Sequence, residues 1–262
     1  MQTNDDHIRD EVRERYSKIA LPNKDACNCS PSCCSPADHS ANVKSTQLGY
    51  SDAQLEDVPD GANLGLGCGN PQAIAMLKPG EIVLDLGCGA GFDSFLAAKQ
   101  VGGDGSVIGV DMTPEMIRKA RDNVRRGPYA NVEFRLGEIE HLPVADNSVD
   151  IIMSNCVINL SVDKHQVYAE AFRVLRAGGR LAISDVVALQ SLPDEIRNDM
   201  EKYAGCVAGA AVVKDLERML AAVGFHDIHV DIREDSKFFI KDWFPGSGVE
   251  KYVRSADIRA KK

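Results

Sequence analysis

The sequence lacks the features of several common protein classes. It contains no apolar run of transmembrane length, and its polar start, Met1 to His7, lacks the apolar region of a signal peptide. The net charge is −9, and no basic stretch suits a nucleic-acid footprint. No internal repeat is present. We therefore expect a cytoplasmic protein that acts on neither nucleic acid nor membranes.

Eight cysteines are the most unusual feature of the composition. In a reducing compartment, such cysteines indicate ligands or redox thiols rather than a framework of structural disulfides. The chain has 262 residues, 44% of them hydrophobic, which is enough for one large α/β core with an extension.

One stretch, from Ile82 to Phe92, combines an apolar run with a glycine-rich turn and the start of a helix-like pattern. In open α/β sheets such a turn is where nucleotide-like ligands bind. Gly87, Gly89 and Gly91 follow Asp85, but the dinucleotide fingerprint would need a third glycine at position 92, which is Phe92. Asp111 ends the next strand-like run, 22 residues beyond Gly89, where a carboxylate would accept hydrogen bonds from ribose hydroxyls.

The rest of the chain alternates between strand and helix patterns and predicts a mostly parallel sheet with one antiparallel strand and helices on both faces. Residues 21–47 read as a loop that carries four cysteines. A short helix is predicted to start at Asn70–Pro71. Strands are predicted near 82–86, 106–111, 132–136, 149–154, 180–187, 226–233 and 251–259, and further helices near 5–20, 92–101, 114–126, 163–176 and 194–222.

The motif D-x-G-x-G-x-G, followed by a strand-ending Asp, resembles the class I methyltransferases that use S-adenosylmethionine. The alternatives are a nicotinamide enzyme and a degenerate nucleotide fold. The resemblance implies a Rossmann-like sheet in which Cys88 mainly fills space within the turn. The cofactor-binding residues that it implies are Asp85, Gly87, Cys88, Gly89, Asp111, Met112, Glu138, Ile139 and Asn155.

Three further cysteines lie in segments that are expected to meet. Cys68 is in a glycine-rich loop before a helix, Cys156 follows the fourth strand, and Cys206 lies between small residues after the fifth. The carboxyl edge of the sheet is where substrates of such folds bind, so the three thiols suggest a site for a soft ligand. The alternative is that each is a small buried hydrophobic residue.

Together, Leu66–Pro71, the Asp85 turn, Ser154–Leu160 and Gly205–Ala210 resemble the arsenite S-adenosylmethionine methyltransferases. The resemblance implies that Cys68, Cys156 and Cys206 bind trivalent arsenic and that an N-terminal cysteine forms a disulfide during turnover. That cysteine falls at Cys33 or Cys34, with Cys34 preferred. The roles of Cys27 and Cys29 stay open, and a structural zinc on the four loop thiols is an alternative.

The implied activity is methyl transfer from S-adenosylmethionine to arsenite or its thiol conjugates, with a thioredoxin- or glutathione-type reductant. The alternatives are a methyltransferase for a quinone or similar acceptor and a non-catalytic thiol sensor of metalloids. We expect an N-terminal helix and Cys-rich extension at 1–47, a donor-binding core at 48–190, and an arsenic-site segment with closing strands at 191–262.

Overall fold

A computed structural model describes the backbone of residues 4–21 and 36–262 and centres on one seven-stranded sheet. Its strands are β1 (Ile82–Leu86), β2 (Ser106–Asp111), β3 (Val132–Leu136), β4 (Val149–Asn155), β5 (Leu175–Ala188), β6 (His226–Arg233) and β7 (Val253–Lys261). They are arranged in the order β3-β2-β1-β4-β5-β7-β6. The first five pair in parallel, and β7 runs antiparallel to both β5 and β6. The predicted sheet with one reversed strand is confirmed.

Helices cover both faces of the sheet, so the central strands are apolar on both sides. They are α1 (Asn4–Ala20), α2 (Pro36–Gln47), α3 (Asp52–Glu56), α4 (Pro71–Ala75), α5 (Phe92–Val101), α6 (Pro114–Arg126), α7 (Lys164–Val174), α8 (Asp194–Arg197), α9 (Met200–Ala204), α10 (Val213–Val223) and α11 (Lys237–Ile240). Single 3₁₀ turns span Ile158–Leu160, Glu234–Ser236 and Val249–Lys251. None of the helices in the described ranges is both long and apolar enough to cross a membrane.

Alternate residues of β1 point into two separate cores, as the geometry of a strand requires. Leu84 packs with α7 and α10 residues, among them Tyr168 and Leu220. Val83 packs on the other face, with Phe95 of α5 and Ile117 of α6. This double burial holds the carboxyl end of β1, and the glycine turn that follows it, in a fixed position.

The prediction of a loop over 21–47 is wrong for its second half, because residues 36–47 form helix α2. Ala41, Ser45 and Leu48 are buried at helical spacing, and Gly65 lies against Ala41. The small size of Ala and Ser concealed this face in the sequence. Cys27, Cys29, Cys33 and Cys34 lie outside the described residues.

The prediction that residues 194–222 are helical is confirmed only in part. The chain forms α8, α9 and α10, with a non-helical stretch between Ala204 and Val213. A side chain at Gly209 would lie 2.1 Å from the carbonyl oxygen of Asn159, and one at Gly205 would lie 2.6 Å from the ring of Phe244. These close contacts require glycine at both positions, and the same non-helical stretch brings Cys206 to Cys156, just after β4.

Candidate functional site

The glycine turn after β1 forms one wall of a cavity at the carboxyl edge of the sheet. Gly87 and Gly89 have φ of +65° and +52°, a left-handed conformation that glycine adopts without steric cost. A side chain at Gly87 would lie 2.5 Å from Val157. The N–H of Gly89 donates to Oδ2 of Asp111 at 3.0 Å. The turn is therefore tied to the end of β2, and its backbone is open to close approach by a ligand.

Two carboxylates, the buried Asp85 and the half-buried Asp111, support this turn from different sides. Asp85 accepts a 2.5 Å hydrogen bond from the hydroxyl of Ser94, and burial raises its pKa well above the usual value. Asp111 accepts from the N–H of Thr113 at 2.8 Å as well as from Gly89, and burial raises its pKa too. Asp111 lines the cavity and keeps unused lone pairs, which suits acceptance from two ligand hydroxyls.

The remaining predicted cofactor residues are distributed unevenly around the cavity. Cys88, Met112, Ile139 and Asn155 line it. The thiol of Cys88 is buried, and a Cβ at Gly109 would lie 2.9 Å from its sulfur, so this cysteine fills space within the turn. Glu138 instead pairs with Arg13 at 3.3 Å and does not line the cavity. Glu140, in the same predicted segment, lines the cavity and accepts from the Ser161 hydroxyl at 2.5 Å.

The cavity encloses about 510 Å³, which is within the range of small-molecule sites. Helix α1 closes one side of it through Val12, Tyr16 and Ile19. Val12 is fully buried against Leu160, Ala204 and Cys206. A helix that the sequence suggests only as general packing thus forms part of the cavity wall.

The structure brings the three predicted thiols together at this cavity. The thiol of Cys206 donates to the carbonyl oxygen of Cys156 at 2.7 Å. The thiol of Cys68 donates to the carbonyl oxygen of Ser184 at 3.4 Å. Cys156 and Cys206 line the cavity, whereas Cys68 is fully buried behind them. All three are free thiols.

The surroundings of Cys68 and Cys156 favour the protonated form of these two thiols. Burial raises the pKa of Cys68 to about 11. Hydrogen bonds with the Cys206 and Cys68 side chains, together with burial, raise the pKa of Cys156 well above its usual value. The free protein therefore holds Cys68 and Cys156 as thiols at neutral pH, and a ligand that binds sulfur must displace their protons.

Two of the three cysteines have an uncommon backbone conformation. Cys156 and Cys206 have φ of +58° and +63°, in the left-handed region where a side chain is strained. Such strain persists only where the surrounding structure enforces it, and it is typical of functional sites. Nothing in the local sequence indicates this conformation.

Asn155 links the cysteine cluster to the cofactor side of the cavity. Its Oδ1 accepts from the N–H of Cys68 at 3.0 Å, and its Nδ2 donates to the carbonyl oxygen of Gly69 at 2.9 Å and to the hydroxyl of Tyr50 at 3.0 Å. The same Tyr50 hydroxyl donates to Asp93 at 2.7 Å. Sequence reasoning missed both residues: Tyr50 lies in a segment with no recognisable motif, and Asp93 follows directly after the glycine turn, at the start of α5.

Asp185, on β5, is a third residue that sequence reasoning missed. Its carboxylate accepts from the N–H of Val186 at 2.7 Å, from the N–H of Ile158 at 3.1 Å and from Nδ2 of Asn159 at 2.9 Å. Burial raises the pKa of Asp185 to about 7, although the charge of Lys164 acts in the opposite direction. The signal in the sequence was an acidic residue inside an otherwise apolar strand.

Comparisons with known proteins agree with this geometry. Residues 77–224 match the family described as "Methyltransferase domain". The arsenite methyltransferase of Halobacterium salinarum is 51% identical over 98% of this chain and 67% of its own length. The human arsenite methyltransferase is 41% identical over 55% of this chain, and the match spans only 40% of the human protein.

A solved structure agrees with these sequence matches. The crystal structure of an arsenic(III) S-adenosylmethionine methyltransferase from Chlamydomonas reinhardtii superposes with a TM-score of 0.61 at 33% identity. The match covers 87% of this chain and 74% of the algal one. The chain has the class I methyltransferase fold and belongs to the arsenite methyltransferase family.

Proposed function

We propose that this protein transfers methyl groups from S-adenosylmethionine to trivalent arsenic bound by Cys68, Cys156 and Cys206. The observation that carries the proposal is the convergence of these thiols, from three distant segments, at the edge of the cavity formed by the glycine turn. Family membership supports methyl transfer to arsenic over transfer to a quinone-like acceptor and over a non-catalytic sensor.

Arsenite loading follows from the protonated state of the thiols. Arsenous acid, As(OH)₃, exchanges each hydroxide for a cysteine sulfur, and each thiol proton leaves with a hydroxide as water. Three thiols thus yield one arsenic–trithiolate and three waters, and no external base is consumed. Cys156 and Cys206 line the cavity and would supply two of the sulfurs, and the fully buried Cys68 would complete the set.

The residues around the glycine turn fit the methyl donor. S-adenosylmethionine supplies an electrophilic methyl carbon when it is bound. Asp111 has free acceptor positions for ribose hydroxyls, and Gly87 and Gly89 leave space for the amino-acid part. The role of the protein in methyl transfer is then to hold the arsenic lone pair in line with the methyl carbon, which is catalysis by positioning.

Methylation oxidises arsenic by two electrons, so each cycle needs a reductant. We infer that Cys34, or its neighbour Cys33, forms a disulfide with one thiol of the cluster, and that the two electrons released return to arsenic. A thioredoxin- or glutathione-type thiol then reduces this disulfide. Under this proposal the protein acts in the cytoplasm. The N-terminal helix and Cys-rich extension at 1–47 would carry the redox thiol, 48–190 would bind the donor, and 191–262 would supply Cys206 and close the sheet.

The activity is tested by incubating the purified protein with S-adenosylmethionine, arsenite and a thiol reductant, followed by chromatography with arsenic-specific detection. We expect methylated arsenicals from the parent protein and none from Cys156→Ser or Cys206→Ser. Protein that binds S-adenosylmethionine but forms no arsenic–carbon bond would refute the proposal.

A matched pair of neighbours tests the redox step. Cys34→Ala should retain arsenite binding and lose multiple turnover, whereas Cys33→Ala should retain both. If the two variants exchange behaviour, Cys33 is the redox thiol. If neither affects turnover, a residue outside this pair supplies the electrons.

A further inference from the structure

Two thiols and one carboxylate form a compact group beside the proposed arsenic site. The sulfurs of Cys68 and Cys156 and a carboxylate oxygen of Asp185 lie within 4.8 Å of one another. Asp185 is almost fully buried, and no step of the proposed methyl transfer uses it. A buried carboxylate costs stability unless its charge is compensated. The charge of Lys164 compensates that of Asp185 in part, but it does not explain why the carboxylate lies beside two ligating sulfurs.

The orientation of Asp185 is set by its own hydrogen bonds. Three N–H donors hold its two oxygens in place: Oδ1 accepts from Val186 and Asn159, and Oδ2 accepts from Ile158 alone, so Oδ2 keeps a lone pair for another partner. Supporting hydrogen bonds of this kind are typical of carboxylates that ligate metals, because they fix the ligand before the ion arrives. A neutral side chain of the same shape would satisfy these donors less well.

We propose that Cys68, Cys156 and Asp185 form a binding site for a thiophilic divalent cation of the Zn²⁺ type, which overlaps the arsenic site. Zinc accepts thiolate and carboxylate ligands together, at about 2.3 Å to sulfur and about 2.0–2.2 Å to oxygen. Ligand atoms of a tetrahedral zinc are then about 3.5 Å apart, so modest inward side-chain movement closes the site. The fourth position faces the cavity that Cys156 lines, where water can complete the shell.

The two donor sets share two sulfurs and differ in the third member. Trivalent arsenic takes the sulfur of Cys206, whereas the cation takes the oxygen of Asp185. Each Zn²⁺ displaces two thiol protons, which pass to solvent, and no electrons are transferred. Zinc and arsenite should therefore compete. The competition rests on the proposed function, but binding of the cation does not.

The test uses the full-length chain with Cys27, Cys29, Cys33 and Cys34 replaced by serine, so that the loop thiols cannot bind zinc. Zinc chloride and arsenite are titrated separately by calorimetry in metal-free buffer with a phosphine reductant. D185N should weaken zinc binding at least about 10-fold and leave arsenite affinity unchanged. C206S should abolish tight arsenite binding and weaken zinc binding less than D185N does.

D150N is the matched control. Asp150 also lies on a central strand and accepts a backbone N–H, that of Ile82 at 2.8 Å, but it is at the opposite edge of the sheet. The D150N variant should bind both zinc and arsenite with the affinity of the parent protein.

Two results would overturn the cation site: D185N that binds zinc as tightly as the parent, or C206S that weakens zinc binding as much as D185N. If D185N does not fold, X-ray absorption of the zinc-loaded parent decides, with two sulfur ligands supporting the proposal and three refuting it. Zinc binding without arsenite binding in the parent would refute the proposed function and leave the cation site standing.

Discussion

The left-handed conformation of Cys156 and Cys206 predicts an inverted order of stability for small substitutions. We compare alanine with glycine at each position, because both remove the thiol and differ only in Cβ. With φ of +58° and +63°, a residue that carries a Cβ is strained by roughly 1–2 kcal/mol, and glycine is not. Glycine gains flexibility in the unfolded chain, which offsets about 0.4–1 kcal/mol of this. The glycine variants should therefore be more stable than the alanine variants by about 1 kcal/mol.

Cys68 provides the internal control, since it is not among the residues with positive φ in the described part of the chain. There, C68A should be more stable than C68G by about 0.4–1 kcal/mol or more. The opposite signs at the two kinds of position separate backbone strain from the loss of the thiol, which is common to all the variants.

The assay is urea unfolding of the reduced protein, followed by circular dichroism, with melting temperature as a second readout. A difference of 1 kcal/mol corresponds to about 2–4 °C in a protein of this size. If the alanine variants are more stable than the glycine variants at positions 156 and 206, as at position 68, then the backbone of these two cysteines is not strained and the argument from strain is refuted.

Three further predictions concern the surroundings of the cluster. G87A should lower the affinity for S-adenosylmethionine in equilibrium dialysis, since its Cβ would lie 2.5 Å from Val157. The control G80A, at a glycine with similar φ but open space around it, should bind S-adenosylmethionine normally. Equal affinities of the two variants would argue against the turn as the donor site. N155A should lose about 1–3 kcal/mol of stability and bind arsenite more weakly, because the Cys68 N–H and the Gly69 carbonyl lose their hydrogen-bond partner. An unchanged arsenite affinity in a titration would contradict this prediction. Burial raises the pKa of Asp93 from 3.8 to about 6, so the folded state binds its proton more tightly than the unfolded state, and stability should fall as pH rises between these values. D93N should reduce that slope in urea unfolding at several pH values, and an unchanged slope would assign the effect to other groups.

Much of the fold could be predicted because the sheet is buried on both faces. Strands such as Ile82–Leu86 then read as apolar runs that end at glycine or aspartate, and the predicted bounds of β1, β2 and β3 agree with the structure. Helix α2 was missed because its buried face consists of Ala41 and Ser45, which are too small to give a clear hydrophobic period. The break after Ala204 depends on tertiary contacts at Gly205 and Gly209 that local propensity does not encode.

The site was predicted in its reactive groups but not in its supporting ones. Cys68, Cys156 and Cys206 could be identified because they lie in motifs at the ends of strands. Asp185 and Tyr50 carry no motif, and Asp93 lies just outside the glycine motif. Their relation to the thiols exists only after β4 and β5 pair and the N-terminal segments pack on the sheet. The positions of these residues in the sequence do not indicate how close they lie to the thiols in the folded chain.

The central claim is that three thiolates hold the arsenic atom, and X-ray absorption at the arsenic edge tests it most directly. The sample is the full-length chain with the four loop cysteines changed to serine, loaded with one equivalent of arsenite. The account predicts a first shell of three sulfurs and no oxygen, which falls to two sulfurs in C206S. An arsenic shell that contains oxygen in the parent, or one that C206S leaves unchanged, would contradict it.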